Sequence, residues 1–146
     1  MIEVEHTLEI DRPAEEVFDY LTDVVRLPEW QESAELVEVE GELREGARFR
    51  EVRTFMGRRA ASTLEVTEHE RPTRFSLRVV EGPVTYAVEH ALADLGGRTR
   101  VTFVGRGETG RIPRLMRGTV RRMVERQFVK DLESLKRRLE DAAVSS

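Results

Sequence analysis

The sequence contains no cysteine, and only two of its 24 basic residues are lysines. Without cysteine, the chain forms no disulfides, no thiolate metal sites and no cysteine nucleophile. It also lacks any apolar run that approaches the roughly 20 residues of a membrane-spanning helix. The first ten residues alternate apolar and mostly acidic side chains, a pattern that differs from a signal peptide. We therefore expect a cytoplasmic protein without membrane insertion.

Motifs of common enzyme classes are missing as well. The sequence has no G-x-S-x-G, H-E-x-x-H, phosphate-binding loop or dinucleotide fingerprint. Its three histidines, His6, His69 and His90, do not form a metal-ligand spacing. We expect neither a metal site nor a cofactor.

The length is that of one domain, which we expect to span residues 1–146. A domain of this size buries roughly 68–70% of its unfolded surface, enough for a core and a pocket. The composition, 39% hydrophobic and 36% charged, is that of a soluble globular protein.

Charge is distributed unevenly along the chain. Residues 1–45 contain fifteen acidic residues and three arginines, whereas residues 111–126 contain six arginines and one acid, Glu125. The arginines could contact nucleic acid, anionic lipid or an acidic partner. They could equally form the solvated face of a helix near the acidic part of the chain, and this interpretation is favoured because helix faces are usually charged. Nucleic-acid binding is therefore not expected.

Hydrophobic periodicity predicts the order of the elements. Alternation over residues 2–10 predicts a strand. Asp11 is expected to cap a short helix with Pro13 in its first turn, and Thr22 and Asp23 are expected to begin a second that ends near Trp30. Residues 34–107 predict six strands separated by glycine turns. After residue 110 one apolar stripe continues at helical spacing: Met116, Val120, Val124, Phe128, Leu132, Leu135 and Leu139.

Glycine pairs suggest a register for two hairpins. A turn at Gly96-Gly97 places His90 opposite Phe103, and Tyr86 on the same face opposite Gly107. Gly105, which this register places opposite Val88, and Gly107 are expected to leave room beside the sheet.

A turn at Gly57-Arg58 places Phe49 opposite Val66, Glu51 opposite Leu64, Arg53 opposite Ser62 and Phe55 opposite Ala60. It also pairs Arg50 with Glu65 on the exposed face. Glu51 and Arg53 then share a face with phenylalanines, where isolated charges are costly to bury. Either they pair inside a pocket, or the sheet projects past the helix and leaves them solvated, which we take as the simpler expectation.

This order predicts an α+β protein in which a strongly curved, seven-stranded antiparallel sheet wraps around a long C-terminal helix. Two short helices follow the first strand. The helix buries its apolar stripe on the concave face of the sheet. Small-molecule sites form in the gap where two such surfaces diverge.

Several segments resemble a known superfamily. RPAEEVFDYLTD and LPEW near the start, EVTEHERPTRF, GGRTRVTF and DLESLKRRLE occur in the family's order over nearly the whole chain. On these segments the chain resembles the START-related helix-grip (SRPBCC) superfamily, in its polyketide cyclase/dehydrase-like branch. The resemblance implies a cavity between the long helix and the sheet, with the two short helices closing one end. It implies no universal catalytic residue.

Three functions are compatible with the sequence. The first is binding of a small hydrophobic or aromatic ligand in the gap. The second is a polyketide cyclase or dehydratase in which Tyr86 and His90 orient the substrate and transfer protons. The third is a protein- or RNA-interaction module formed by the arginines of residues 111–126. Whether the protein is an enzyme is left open, with binding preferred. The expected ligand contacts are His6, Trp30, Phe49, Glu51, Arg53, Phe55, Leu64, Phe75, Leu77, Tyr86, Val88, His90, Phe103, Met116, Val120 and Met123.

Two further expectations concern the periphery of the fold. Trp30, the only tryptophan, is either a plug or a lid at one end of the cavity, and we favour the plug. Residues 34–40 are expected to form an edge strand that could pair across a homodimer, although their glutamates oppose such pairing.

Overall fold

The computed structural model describes residues 1–55 and 57–145. Its elements, in chain order, are β1 Ile2–Ile10, α1 Ala14–Leu21, α2 Leu27–Trp30, β2 Ala34–Val39, β3 Arg48–Phe55, β4 Arg58–Glu70, β5 Arg74–Glu81, β6 Tyr86–Asp94, β7 Thr99–Gly107 and α3 Arg117–Ser145. Short 3-10 turns precede α2 at Val24–Arg26 and α3 at Arg114–Met116. The order of strands and helices agrees with the sequence prediction.

All seven strands form one antiparallel sheet in the order β1-β7-β6-β5-β4-β3-β2. The sheet is curled but not closed, so β1 and β2 are its two edges. The long α3 packs along β1 and onto the concave side. This is the predicted helix-grip fold, and residues 34–39 form the predicted edge strand. Homodimer formation through that edge stays a prediction.

The predicted register of β6 and β7 is confirmed. Leu92 pairs with Val101, His90 with Phe103, and Tyr86 with Gly107. The turn residues Gly96 and Gly97 adopt φ values of 82° and 88°, a left-handed conformation that glycine reaches without steric cost.

The predicted register of β3 and β4 is wrong by two residues. Phe55 pairs with Arg58, so Phe49 lies opposite Leu64, Glu51 opposite Ser62 and Arg53 opposite Ala60. Since side chains alternate with a period of two, this shift leaves every residue on its predicted face. It does change the exposed partners: Glu65 pairs with Arg48 rather than with Arg50.

The start of α1 also differs from the prediction. Pro13, not Asp11, occupies the cap position, and no side chain caps the helix. The Asp11 backbone N–H instead donates to the Glu140 carboxylate on α3 at 2.8 Å. Pro28 lies in the first turn of α2, where its missing N–H costs no helical hydrogen bond.

The core lies between the concave face and the helices. Val17, Phe18 and Leu21 of α1 are buried in it, as is Trp30 of α2. Leu132, Leu135 and Leu139 of α3 join the same core. The first half of α3 is less buried than the second: Val120 is 5% exposed and Val124 is half-buried, whereas Met123, and Met116 in the preceding 3-10 turn, are 41% and 48% exposed. The helix therefore contacts the core most closely through its second half.

Candidate ligand-binding site

Two strands that are not neighbours meet across the concave face. The Tyr86 hydroxyl on β6 donates a hydrogen bond to the Glu51 carboxylate on β3. Because β4 and β5 lie between these strands, a flat sheet would separate them by about 14 Å. The curl of the sheet brings the two side chains together over the interior.

Arg53 completes this contact from the same strand as Glu51. Its guanidinium donates to both Glu51 oxygens, from Nη2 at 3.0 Å and from Nε at 3.3 Å. It also donates to Gln31 Oε1 and Ser33 Oγ, each at 2.7 Å, in the segment between α2 and β2. The Glu51 side chain is 2% exposed and the Arg53 side chain 24%, so the pair lies inside the fold. The expectation that these two charges are solvated is wrong, because each finds charged and polar partners in the gap.

The protonation states of these groups follow from their surroundings. Burial, reinforced by the negative charge of Glu51, raises the pKa of Tyr86 above its usual value. Burial acts to lower the pKa of Arg53, but the charge and hydrogen bonds of Glu51, together with Tyr86 and Asp131, outweigh it, so the pKa is raised. Tyr86 is therefore a neutral donor and Arg53 a permanent cation at physiological pH.

The helix contributes a carboxylate to the same region. Asp131 on α3 is 6% exposed and accepts a hydrogen bond from Gln127 Nε2 at 2.8 Å. Burial raises the pKa of Asp131 to about 6, while the hydrogen bond from Gln127 and the charge of Arg53 act in the opposite direction. We call Glu51, Arg53, Tyr86 and Asp131 the polar cluster. It joins the sheet and α3, and through Arg53 the α2–β2 segment.

The sequence did offer a signal for Asp131. It follows Phe128 by three residues and precedes Leu135 by four, so it lies within the apolar stripe of α3. An acid at a core-facing position is unusual, and it often marks a site. Gln31 and Ser33 carried no comparable signal, since both lie in a short irregular segment.

The other end of the concave face is aromatic. His90 is 5% exposed, with Phe75 stacked on it at 5.9 Å and Phe103 edge-on at 4.7 Å between ring centroids. Its Nδ1 lies 3.0 Å from the Phe75 carbonyl, which can only accept, so Nδ1 carries the proton. Burial lowers the pKa of His90 to about 4. The ring is thus neutral, and its Nε2 is a buried acceptor without a partner in the described part of the chain.

Phe128 of α3 closes this aromatic end, which comprises Phe75, His90, Phe103 and Phe128. Its ring lies 4.7 Å from that of Phe103. A Cβ built on Gly105 would lie 2.4 Å from Phe128 Cε2. The room that we expected beside Gly105 is therefore filled by Phe128, whereas the nearest atom to a Cβ on Gly107 is Tyr86 Cβ at 4.0 Å.

Tyr86 and His90 do not form a pair. They lie four residues apart on β6, about 13 Å along the strand. The Tyr86 hydroxyl contacts Glu51, while His90 contacts Phe75. A neutral imidazole with a pKa of about 4 is also a weak base at neutral pH.

The remaining predicted contacts fall into three groups. Trp30, Phe49, Leu64, Phe75, Leu77 and Phe103 share one buried core, with Val88 packed against it. Val120 is buried, His6 is half-buried and pairs with Phe103 across β1 and β7, and Met116 and Met123 are exposed. The Phe55 side chain lies outside the described residues. Trp30 is buried in the core, and its role as a plug stays a prediction.

The sequence matches the family described as polyketide cyclase / dehydrase and lipid transport over residues 1–140. The chain belongs to this family. Curated proteins give no match.

Solved structures agree with the family assignment. The chain is similar to TTHA0849 from Thermus thermophilus, with 23% identity, a TM-score of 0.82, and 96% of this chain and 98% of the other covered. It is similar to the Zhui aromatase/cyclase from a Streptomyces species, with 23% identity, a TM-score of 0.79, and coverage of 94% and 93%. A START superfamily protein from Mycobacterium smegmatis has 16% identity, a TM-score of 0.82, and coverage of 97% and 99%. At these identities the likeness establishes the fold.

Proposed function

We propose that this protein binds a small aromatic or apolar ligand that carries a hydroxyl group, in the gap between α3 and the concave face of the sheet. The observation that carries this proposal is the polar cluster. Four ionisable side chains from two distant strands and α3 converge in an otherwise apolar interior. A fold does not need such a cluster for stability, since buried ion pairs contribute little relative to apolar packing. Convergent polar groups in an apolar setting are typical of ligand sites.

The chemistry of the available hydrogen-bonding positions favours a hydroxyl. Glu51 and Asp131 present carboxylate oxygens, and His90 Nε2 is a buried acceptor. A ligand hydroxyl can donate to one of these acceptors, while its ring packs on Phe103 and neighbouring apolar side chains. A ligand without a donor would leave His90 Nε2 unpaired and would form no hydrogen bond to the carboxylates, at a cost in affinity.

A thermal-shift comparison tests this proposal with matched probes. We expect 1-naphthol to raise the melting temperature more than naphthalene, because only the naphthol supplies a donor. Glu51→Gln should reduce the naphthol response, since it replaces a carboxylate by an amide. Glu29→Gln is the matched control, because Glu29 also accepts a tyrosine hydroxyl, from Tyr20 at 2.9 Å, but on the surface.

The outcome distinguishes binding at the polar cluster from nonspecific hydrophobic binding. Equal responses to both probes, or equal loss in both glutamine variants, would contradict the assignment of the ligand hydroxyl to the polar cluster. A folded protein that fails to respond to either probe or to a wider set of hydroxylated aromatics would contradict ligand binding itself.

A second candidate function is catalysis of a cyclase or dehydratase type. It is favoured by Asp131, because a buried carboxylate with a pKa of about 6 can accept and return a proton near neutral pH. The Tyr86 hydroxyl donates its own proton to Glu51, so its role would be to orient the substrate by accepting a hydrogen bond. If the protein is such an enzyme, Asp131→Asn should abolish turnover but retain ligand-induced thermal stabilisation. Unchanged turnover in this variant would remove Asp131 from the mechanism.

A further inference from the structure

The arginine-rich segment, residues 111–126, is not explained by the fold or by the proposed ligand site. Arg111, Arg114, Arg121, Arg122 and Arg126 are exposed, and Arg117 is half-buried. Only Arg121 has an ion pair within the described residues, with Glu125 at 3.9 Å. Arginines on the sheet behave differently: Arg48, Arg78 and Arg106, for example, each face a carboxylate. The segment is thus a concentration of uncompensated positive charge.

Apolar side chains are exposed among these arginines. Leu115 is 97% exposed, Met116 48% and Met123 41%. Met116 and Met123 are seven residues apart, so they lie about 11 Å apart on one side of the continuous helical segment. A surface groove along α3 continues this region and is lined by Arg122, Glu125, Arg126, Val129, Lys130 and Glu133.

The exposed apolar residues lie at one end of the fold. The start of β6 pairs with the end of β7, which leads into the segment. The Glu108 N–H donates to the Thr85 carbonyl at 3.0 Å, which holds the β5–β6 turn beside this connection. Val84 in that turn is 52% exposed. Val84 and the start of the connection that leads to Leu115 and Met116 therefore lie at the same end of the sheet.

We propose that this surface docks the protein peripherally on an anionic phospholipid membrane. Unpaired arginines attract anionic headgroups, and exposed Leu115, Met116 and Met123 enter the boundary between headgroups and acyl chains. An RNA partner would use the arginines but would leave a fully exposed leucine without a role. The contact is peripheral, because within the described residues no helix is long and apolar enough to cross a bilayer.

The position of this surface also suits ligand entry. The first half of α3 is the part that packs least closely on the core, with Val120 as its one deeply buried apolar side chain among the described residues. Docking itself depends on surface residues alone, so it can be tested independently of the proposed ligand site.

Co-sedimentation of the 146-residue chain with vesicles tests the proposal. We expect binding to vesicles of phosphatidylcholine in which about one lipid in three is phosphatidylglycerol, and not to pure phosphatidylcholine, with affinity that falls as salt rises. Arg122→Ala and Arg126→Ala should each weaken binding about fivefold. Leu115→Ser should weaken it about tenfold, since a buried leucine side chain is lost from the interface.

Two matched variants control for nonspecific electrostatic and hydrophobic binding to the vesicles. Arg137→Ala removes an exposed arginine near the other end of α3, and Val25→Ser removes an exposed apolar side chain near α2. Both should bind vesicles as the unmodified protein does. Equal binding to both vesicle types, or Leu115→Ser binding with unchanged affinity, would overturn the proposal. Salt-sensitive binding to a homopolymeric RNA that depends on Arg122 but not on Leu115, without vesicle binding, would also overturn it.

If Glu51→Gln loses the response to 1-naphthol but keeps vesicle binding, the two sites are independent, as we expect. Melting temperatures of all surface variants should match that of the unmodified protein, because these side chains make few contacts within the fold. A variant that loses both vesicle binding and stability would contradict the assignment of its residue to the surface.

Discussion

The polar cluster and the aromatic end occupy the same concave face but bury their polar groups in different ways. In the polar cluster, the Glu51 carboxylate pairs with the Arg53 guanidinium and also accepts a hydrogen bond from Tyr86. At the aromatic end, His90 is surrounded by rings and remains neutral. The comparison shows that pairing, rather than proximity to water, allows charge in this interior. If the proposed ligand binds here, its hydroxyl is recognised by the polar cluster and its ring by the aromatic end.

The largest predicted effect comes from breaking the charged pair. Arg53→Ala leaves Glu51 buried without a cation, and we expect a loss of about 3–5 kcal/mol in the free energy of unfolding. Arg71→Ala is the matched control, because Arg71 forms a two-point contact with Asp19 at 2.8 and 2.9 Å on the surface. Urea unfolding should show little change for the control. Similar small losses in both variants would mean that Glu51 is more solvated than its position indicates.

Asp131 in the polar cluster and His90 at the aromatic end should change the pH dependence of folding stability in opposite directions. The pKa of Asp131 is raised to about 6, so its contribution to stability is present below about pH 4 and is lost as the pH rises through about 6. The pKa of His90 is lowered to about 4, so its contribution is lost as the pH falls from about 6.5 towards 4. Each effect is at most about 3 kcal/mol.

Single substitutions separate the contributions of Asp131 and His90 to the change of unfolding free energy with pH. As the pH rises from 4 to 6, the unfolding free energy of Asp131→Asn should increase relative to that of the unmodified protein. That of His90→Gln should decrease relative to it. Unfolding free energies measured by urea titration between pH 4 and 7 provide the comparison. Differences that stay constant with pH would show that neither group has a shifted pKa in the folded protein.

A smaller effect is expected where α3 closes the aromatic end. Gly105→Ala introduces a methyl group into the space of the Phe128 ring, and we expect a loss of about 1–3 kcal/mol. In a protein that already carries Phe128→Ala, Gly105→Ala should reduce stability much less, because the ring that the new methyl group would meet is absent. A double-mutant cycle measures this coupling. If the two substitutions act additively, Phe128 does not fill the space beside Gly105.

Local signals explain why some elements were predictable from the sequence. Gly96-Gly97 specified both the turn and the register of β6 and β7, because few other residues adopt its backbone conformation. The turn between β3 and β4 has only one glycine, Gly57, which does not fix the two turn residues. The predicted register was therefore wrong by two residues. The faces remained correct because side chains alternate. The apolar stripe of α3 similarly predicted which side of the helix is buried in its second half.

The candidate site was only partly predictable. Tyr86, Glu51 and Arg53 were each assigned to the concave face, but their contact depends on the curl of the sheet across two intervening strands. No sequence period encodes that distance. The contact between Phe128 and Gly105 likewise depends on the rotation of α3 about its axis and on its distance from the sheet. The apolar stripe alone determines neither.

The most direct test of the account is the dissociation constant of a hydroxylated aromatic ligand for the Tyr86→Phe variant, measured by calorimetry with 1-naphthol. Tyr20→Phe is the matched control, because it removes a hydroxyl that contacts a glutamate at the surface. If the polar cluster holds the ligand hydroxyl, Tyr86→Phe should weaken binding about tenfold and Tyr20→Phe should leave it unchanged. Equal affinities in all three proteins would contradict a ligand site at the polar cluster.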